Sequence, residues 1–200
     1  MGHEVTLFSS SRGYQTLDLQ SNTTSRITTS VSGKTQRIKT GAQSWTFKLK
    51  SPALTRDEMM RDYATLVSKE GQVQAFTIVP PIVSSTRSTN ASGTPTVLST
   101  YGAGTSVVRA NGGSGTLKQG DMIKFSNHSK VYMLTHDVNQ DESSEDSFQI
   151  YPPLVTAVTN STTIIYNNVE FTVYLDTDQI KTLTQADGTF KYEIVCIEEI

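Results

Sequence analysis

Residues 55–71, TRDEMMRDYATLVSKEG, predict one amphipathic helix, over 55–70, in a chain otherwise patterned as short strands. Thr55 can cap the first turn, and Glu58 stands three positions later, which is the spacing of a capping box. The apolar face of the helix comprises Met59, Tyr63, Leu66 and Val67. Gly71 follows where a residue of positive φ is favoured. The pattern is typical of a helix packed on a β-rich body.

The segments on either side of this helix alternate as β-strands do. In residues 43–50, Trp45, Phe47 and Leu49 alternate with polar side chains, so one face of this strand is expected in a core. A strand over 73–79 follows the helix. Further strands are predicted at 4–8, 14–19, 24–31 and 35–40.

A second group of short strands follows a segment with few core-forming residues. Residues 83–95 are rich in Ser, Thr, Asn and Gly, and predict a linker or a long exposed loop. The strands beyond it have the spacing of a small barrel or sandwich. They are predicted at 104–110, 121–126, 130–138, 147–151, 162–166 and 169–175. The acidic insert 139–146 predicts a solvated hairpin tip.

The last predicted strand decides the domain organisation. Residues 189–199 form an apolar run too long to hang free, and chain ends are commonly tied into a sheet. If this strand completes the first sheet, the first domain is discontinuous and comprises 1–80 and 176–200. Residues 81–175 then form an inserted domain.

Composition favours an all-β protein with wide polar surfaces. Thr and Ser together number 52 of the 200 residues, and 18% of residues are charged. The net charge of −2 gives no general argument for nucleic-acid binding. Residues 1–82 hold ten Lys/Arg against six Asp/Glu, whereas the remainder holds seven against thirteen. This asymmetry fits either complementary contact surfaces or two separately solvated ones.

The sequence predicts a soluble protein made inside a cell. Cys196 is the only cysteine, so no intrachain disulfide can form, and its strand-like setting predicts a small buried hydrophobe. The first residues lack the basic and apolar regions of a signal peptide. No apolar run approaches the ~18 residues that span a bilayer.

No metal-binding residues are predicted. His128 and His136 have no Cys or further His at ligand spacing, and two imidazoles alone make a weak site. The acidic residues Asp141, Glu142, Glu145 and Asp146 lack the ligand spacing of a calcium loop.

Catalytic and cofactor-binding residues are not predicted either. The glycine-rich stretches 101–104 and 111–115 neither precede Gly-Lys-Ser/Thr nor open a helix. Cys196 has no evident activating His, and no nucleophile elbow is present in the sequence. The ligand-binding residues, if any, are unknown from sequence.

The aromatic side chains recur at strand or helix spacing, which favours core packing over a stacking platform for bases or sugars. They are Trp45, Phe47, Tyr63, Phe76, Tyr132, Phe148, Tyr151, Tyr166, Phe171 and Tyr174.

Two blocks of sequence resemble a known family. The first contains Ala42-Gln43-Ser44-Trp45, Pro52, Leu54, Asp57-Glu58, Leu66, Gly71 and Pro80. The second contains Gly115-Thr116-Leu117, Gly120-Asp121, Phe125-Ser126, His128, Lys130-Val131-Tyr132 and Tyr151-Pro152. With the closing Asp187-Gly188-Thr189-Phe190, their order and spacing are similar to the distal tail protein of long-tailed bacteriophages, in its short form with an inserted OB-like domain. The resemblance covers most of residues 42–200.

The resemblance implies a mainly β fold: a tail-tube-like β-sandwich with one flanking α-helix, plus an inserted small OB-like β-barrel. It implies a structural virion protein, not an enzyme, located in the virion tail and assembled in the host cytoplasm. Six copies would form a homo-hexameric ring at the distal end of the tail tube. The ring would contact the tail tube protein and connect it to tail-tip hub, baseplate and side-fibre proteins. DNA would pass through the bore without sequence-specific binding, and no cofactor or membrane is implied.

Three alternatives stay open at the level of sequence. A carbohydrate- or receptor-binding β module of a virion would need exposed aromatics and a cleft with convergent polar groups. Another tail tube or terminator subunit would have a similar composition, usually without a large insertion. An enzyme would need a buried carboxylate pair with perturbed pKa values in a pocket.

Overall fold

The computed structural model describes residues 13–142 and 144–200, and the chain is mainly β. Strands make up 48% and helix 6% of it. They form two sheets, one nearly barrel-shaped, consistent with the predicted β-sandwich plus barrel. The predicted strand 4–8 lies outside the described residues. Within the described part of the chain, no helix has the length and apolar character needed to cross a membrane.

In chain order the elements are β1 (Thr16–Thr29), β2 (Thr35–Lys50), α1 (Arg56–Val67), β3 (Phe76–Ile78), β4 (Ser92–Val97), β5 (Val107–Leu117), β6 (Met122–Phe125), β7 (Val131–Leu134), β8 (Val138–Gln140), β9 (Asp146–Tyr151), β10 (Ile164–Ile165), β11 (Phe171–Leu175), β12 (Thr182–Thr184) and β13 (Phe190–Glu198).

The first sheet joins strands from distant parts of the sequence. Its order is β1-β2-β13-β11-β3, and β12 pairs with the start of β13. The last strand, β13, lies antiparallel to both of its main neighbours, with Ile194 opposite Leu49 and Cys196 opposite Leu175. The chain therefore leaves this sheet after β3 and returns to it with β11.

Strand β11 falls in the second predicted group by sequence, but the structure places it in the first sheet. It pairs with β13 on one side and with β3 on the other. Phe171, Val173 and Leu175 are buried in the first core, where the ring of Phe171 lies edge-on to that of Phe47 at 4.9 Å. Pairing on both sides decides the position of this strand, and local periodicity does not contain that information.

The strands β1 and β2 form one long hairpin where the sequence predicts four separate strands. Their pairing runs from Thr16 opposite Lys50 to Thr29 opposite Thr35, with one register shift between Thr23 and Ser25. Polar residues between the predicted strands, which the sequence suggests as turns, lie within the two long strands in the structure. Thr fits an exposed pleated surface well, so a polar composition does not end a strand.

The predicted helix is confirmed, three residues shorter at its end than the pattern suggests. The backbone N–H of Thr55 donates to the Glu58 carboxylate at 3.0 Å, and the Glu58 N–H donates to the Thr55 hydroxyl at 3.4 Å, which completes the capping box. Met59 and Leu66 are buried, whereas Val67 is half exposed. The apolar face is therefore narrower than predicted.

The second sheet curves until its end strands meet. Its order is β10-β6-β7-β9-β5-β4, with β8 also paired to β5. A β-bridge between Thr96 and Thr163 and a hydrogen bond from Val97 N–H to Thr162 O, at 2.9 Å, join its two ends. The sheet encloses a core of its own, centred on buried side chains that include Phe125, Phe148, Ile150 and Val158.

The segment 83–95 is not a free linker. Ser84 is buried, residues from 92 onward belong to β4, and Thr86 and Arg87 are held by the buried carboxylate of Asp121. These contacts could not be predicted from the sequence, because Asp121 lies 34 or 35 positions away from the residues that it binds.

The acidic insert 139–146 is solvated except at Gln140 and Asp146, among its described residues. Residues 141, 142, 144 and 145 are exposed, Ser143 lies outside the described residues, and Gln140 and Asp146 are buried.

Candidate functional site

The largest exposed feature of the first sheet is the outer half of the β1–β2 hairpin. We call residues 24–40 the hairpin arm; every residue from 20 to 40 is exposed. Both faces of this two-stranded ribbon lie in solvent. An isolated hairpin is marginally stable in water, so a ribbon of this length is typical of an element that gains contacts in an assembly.

The hairpin arm combines cationic and apolar side chains. The sequence contains no Asp or Glu from residue 19 to residue 56. The arm carries Arg26, Lys34, Arg37 and Lys39. Its apolar side chains are Ile27, Ile38 and Val31, which are 62%, 59% and 110% exposed. Because paired residues share a face, Ile27 lies beside Arg37 and Ile38 beside Arg26.

A free strand edge accompanies the arm. Strand β1 pairs only with β2 among the described elements, so within residues 13–142 and 144–200 its other edge has no strand partner. Such an edge is a template for pairing with another chain.

A buried polar junction joins the two sheets. Lys130, at the start of β7, forms an ion pair with Glu198, at the end of β13, and their side chains are 1% and 0% exposed. The Lys130 ammonium also donates to Gln43 Oε1 at 2.9 Å. The Glu198 carboxylate accepts the backbone N–H groups of Val131 at 2.8 Å and Trp45 at 3.1 Å. All the donors and acceptors of the pair therefore come from elements of the two sheets.

Apolar contacts surround this ion pair. Met122 and Val131, on strands of the second sheet, are buried in the core cluster of the first sheet. The indole N–H of Trp45 donates to the Val131 carbonyl at 3.0 Å. Both side chains are buried, and burial acts on both charges. It lowers the pKa of Lys130, against the attraction of Glu198, and raises the pKa of Glu198, against the attraction of Lys130.

The base of the hairpin arm also touches the second sheet. The hydroxyl of Thr23 lies 3.1 Å from that of Tyr151, at the end of β9, and the Lys39 ammonium lies 5.8 Å from the centre of the Tyr151 ring. The junction and this contact together connect the second sheet to the strand pair that carries the arm.

Two concave regions lie on the first sheet and its helix. The first, which we call the outer groove, has a volume of about 930 Å³; its lining includes Lys50, Lys181, Lys191 and Glu193. The second, which we call the acidic cleft, has a volume of about 290 Å³. The acidic cleft is lined by Tyr63, Val67, Glu70, Gly71, Asp178 and Ile180.

The histidines singled out from sequence are not brought together in a metal site. The His128 ring lies 2.8 Å from the Tyr132 hydroxyl and 2.8 Å from Asn127 Oδ1, and its pKa is lowered, chiefly by burial. His136 lies 3.1 Å from the hydroxyl of Thr135. Over residues 13–142 and 144–200, no three His, Cys, Asp or Glu side chains are grouped as metal ligands.

The aromatic side chains confirm the core prediction for the most part. Trp45, Phe47, Phe76, Tyr132, Phe148, Tyr166 and Phe171 are buried. Tyr63 and Tyr174 are half-buried. Tyr151 is 37% exposed, and its hydroxyl and ring already contact the arm base.

Sequence reasoning missed the hairpin arm and the buried ion pair. The arm had a usable signal, the run without acidic residues from 19 to 56. The ion pair had none, because Lys130 and Glu198 are 68 positions apart and each resembles an ordinary surface charge in sequence.

The charge asymmetry between the two parts of the sequence does not correspond to a charge difference between the two sheets. Residues 84–169, which form the second sheet, hold five Lys/Arg against six Asp/Glu.

The protein is mainly β, with two sheets joined through a buried polar junction and an exposed basic arm on the first sheet. Comparison with known families adds to this description. Residues 84–169 match the family of the distal tail protein pb9, B domain. Over these residues the match confirms the resemblance to distal tail proteins found in the sequence. No curated protein matches the sequence.

The distal tail protein domain supports a structural role in a phage tail, and the family is structural rather than enzymatic. It implies a location in the virion tail and association with other tail components. The matched residues cover the second sheet and the segments that connect it to the first.

Proposed function

We propose that this protein forms a ring at the distal end of a phage tail tube and connects the tube to the tail-tip hub and side-fibre proteins. The observation that supports this most directly is the family match of residues 84–169, taken with the exposed hairpin arm on the other sheet. One part of the chain carries a tail-specific domain, and the other carries the free edge and arm that self-assembly requires.

The first sheet supplies the ring contact in this proposal. Its strands lie within residues 16–78 and 171–198. In this proposal the inserted domain comprises the matched residues 84–169 rather than 81–175, so that β11 stays with its pairing partners. The arm and the β1 edge form one surface, and a different surface of the neighbour must receive them. Such a heterologous contact closes into a ring when the rotation that relates one copy to the next divides a full turn into a whole number of steps.

The inserted domain projects from the ring and docks other tip proteins, while DNA passes through the bore. Its charge supports protein docking over nucleic-acid binding, because residues 84–169 have no excess of basic side chains that could neutralise phosphates. The buried junction holds this domain in a fixed orientation on the ring-forming sheet.

Native mass spectrometry of the full chain, with electron microscopy of the same sample, tests the proposal. We expect closed rings, six copies being the expected number, with contacts that bury on the order of 2,000 Å² each. A monomer at millimolar concentration, which also fails to form rings when purified tail tubes are added, would contradict the proposed function. Rings found on tubes alone would support it.

A further inference from the structure

The hairpin arm has unsatisfied binding capacity of two kinds. Ile27, Ile38 and Val31 expose apolar surface on a ribbon that has no core of its own. Within the described residues, Arg26, Lys34 and Arg37 form no ion pair. A partner that satisfied only the charges would leave the apolar side chains in water.

The acidic cleft offers the complementary chemistry. Val67, half exposed at the end of α1, and Ile180 provide an apolar lining, and Glu70 and Asp178 provide charge at the rim. Neither carboxylate is in an ion pair with any residue of 13–142 or 144–200. Asp178 accepts the Gln72 N–H at 3.1 Å, which fixes its side chain beside Gly71.

We propose that the hairpin arm of one copy docks in the acidic cleft of the neighbouring copy through the face that carries Ile27 and Arg37. Arg37 then lies beside Glu70 and Asp178, and Ile27 packs against Val67 and Ile180. The inference rests on the proposed ring and specifies which two surfaces meet in it. The arm and the cleft are different surfaces of one chain, as a heterologous contact requires. Strands rise about 3.3 Å per residue, so the arm extends roughly 20–25 Å, enough to cross to a neighbour.

The outer groove is a poorer acceptor than the acidic cleft. Lys181 and Lys191 line it, and its Glu193 is already paired with Lys50 at 3.2 Å. A basic arm would meet like charge there, which disfavours the contact.

DNA is a poorer occupant of the arm than protein. Phosphates would neutralise the cations, but Ile27 and Ile38 share faces with Arg37 and Arg26, so apolar and cationic surface must be covered together. An acidic cleft with an apolar lining covers both at once.

A charge-swap series in the full chain tests this contact. Arg37→Glu and Glu70→Lys should each raise the apparent dissociation constant of the ring about tenfold or more. Combining the two substitutions in one chain exchanges the cation and the anion across every contact, so ring formation should return to within about threefold of the wild type. Arg109→Glu and Glu142→Lys, matched changes on the second sheet, should have little effect. Sedimentation velocity at several protein concentrations measures the constants.

Crosslinking gives a second readout that does not depend on charge. Cysteines introduced by Ile27→Cys, on the same face as Arg37, and Val67→Cys in one chain should form disulfides between copies under mild oxidation, giving a ladder of multimers on a denaturing gel. Cys196 is buried and does not compete. Either single substitution should give at most dimers.

The outcomes separate the two proposals. If the wild type forms rings but the charge variants behave like their controls and no ladder appears, the arm–cleft contact is wrong and the ring stands. If the wild type forms no ring even on tail tubes, the proposed function fails first. If Arg37→Glu leaves ring formation intact but weakens retention of duplex DNA, the arm is a nucleic-acid surface and the inference is overturned.

Discussion

Removing Lys130 should destabilise the protein far more than removing an exposed lysine. In Lys130→Met, the carboxylate of Glu198 stays buried and loses its only cation. Breaking a buried ion pair from one side costs about 3–5 kcal/mol. Glu198 keeps the N–H donors of Trp45 and Val131, so we expect the free energy of unfolding to fall by ~3 kcal/mol, near the lower end of this range.

The opposite substitution should be worse. In Glu198→Leu, the buried Lys130 keeps the Gln43 hydrogen bond and the Trp45 ring but no anion among the described residues, and two backbone N–H groups lose their acceptor. Each buried unsatisfied donor costs about 1–3 kcal/mol, so we expect a loss of ~5 kcal/mol or more. The double variant removes both charges and should lose only ~2 kcal/mol, far less than the sum of the single losses, because an apolar pair of similar size is a tolerable replacement.

Chemical and thermal denaturation of the four proteins measures these differences. For a chain of this size, ~3 kcal/mol corresponds to a fall of roughly 6–12 °C in Tm. The matched control is the exposed pair of Lys50 and Glu193, 3.2 Å apart and half exposed, whose variants should lose at most about 1 kcal/mol. If Lys130→Met is no more destabilising than Lys50→Met, the junction does not stabilise the fold as argued.

The same variant should acquire a characteristic pH dependence. Burial raises the pKa of Glu198, and without Lys130 only the N–H groups of Val131 and Trp45 oppose that shift. A folded-state pKa above the unfolded value gives stability that is present at low pH and lost as pH rises through the folded pKa. Lys130→Met should therefore be closest to the wild type below about pH 4 and fall behind it as pH increases. If the difference in the free energy of unfolding between the variant and the wild type does not change with pH, the argument that a buried, ionised Glu198 destabilises the variant is wrong.

Three further predictions concern single residues. Thr55→Ala removes the hydroxyl half of the capping box and should lower the free energy of unfolding by about 1 kcal/mol in thermal denaturation, whereas Thr55→Ser should not. Gly71→Ala should lower the free energy of unfolding by about 1–2 kcal/mol, because φ is +65° and the new Cβ would lie 2.5 Å from Asp178 Oδ1. An unchanged Tm would show that this position tolerates a Cβ without strain. Cys196 should be inert to Ellman's reagent at pH 8 in the native protein and reactive in denaturant, because burial raises its pKa to about 12; rapid native labelling would show that the strand opens.

Locally encoded elements could be predicted from this sequence. Thr55 and Glu58 make the start of the helix readable, since the two residues of a capping box contact each other across three positions. Alternation made Phe47 and Leu49 recognisable as core, because a strand with one buried face repeats every two residues. The family resemblance came from the order of such blocks.

Features that depend on distant partners could not be predicted. The sheet to which β11 belongs is decided by β13 and β3, and periodicity is the same in either sheet. Lys130 and Glu198 look solvated until the fold brings them together, because charged residues are almost always exposed unless they are paired. Segment 83–95 looked like a linker because its binding partner, Asp121, is a single residue in a distant turn.

The polar character of the junction has a consequence for the function. Sliding or rotation of the second sheet would separate Lys130 from Glu198 and Gln43 and leave buried polar groups unpaired, so these contacts favour the observed arrangement. Glu198 lies on β13, which is paired to β2, and β2 continues into the hairpin arm. The contact of Tyr151 with Thr23 and Lys39 adds a second point of attachment at the arm base. The second sheet is thus oriented by the strands that carry the arm, so a ring built through the arm would present every copy of the tail-specific domain at the same angle.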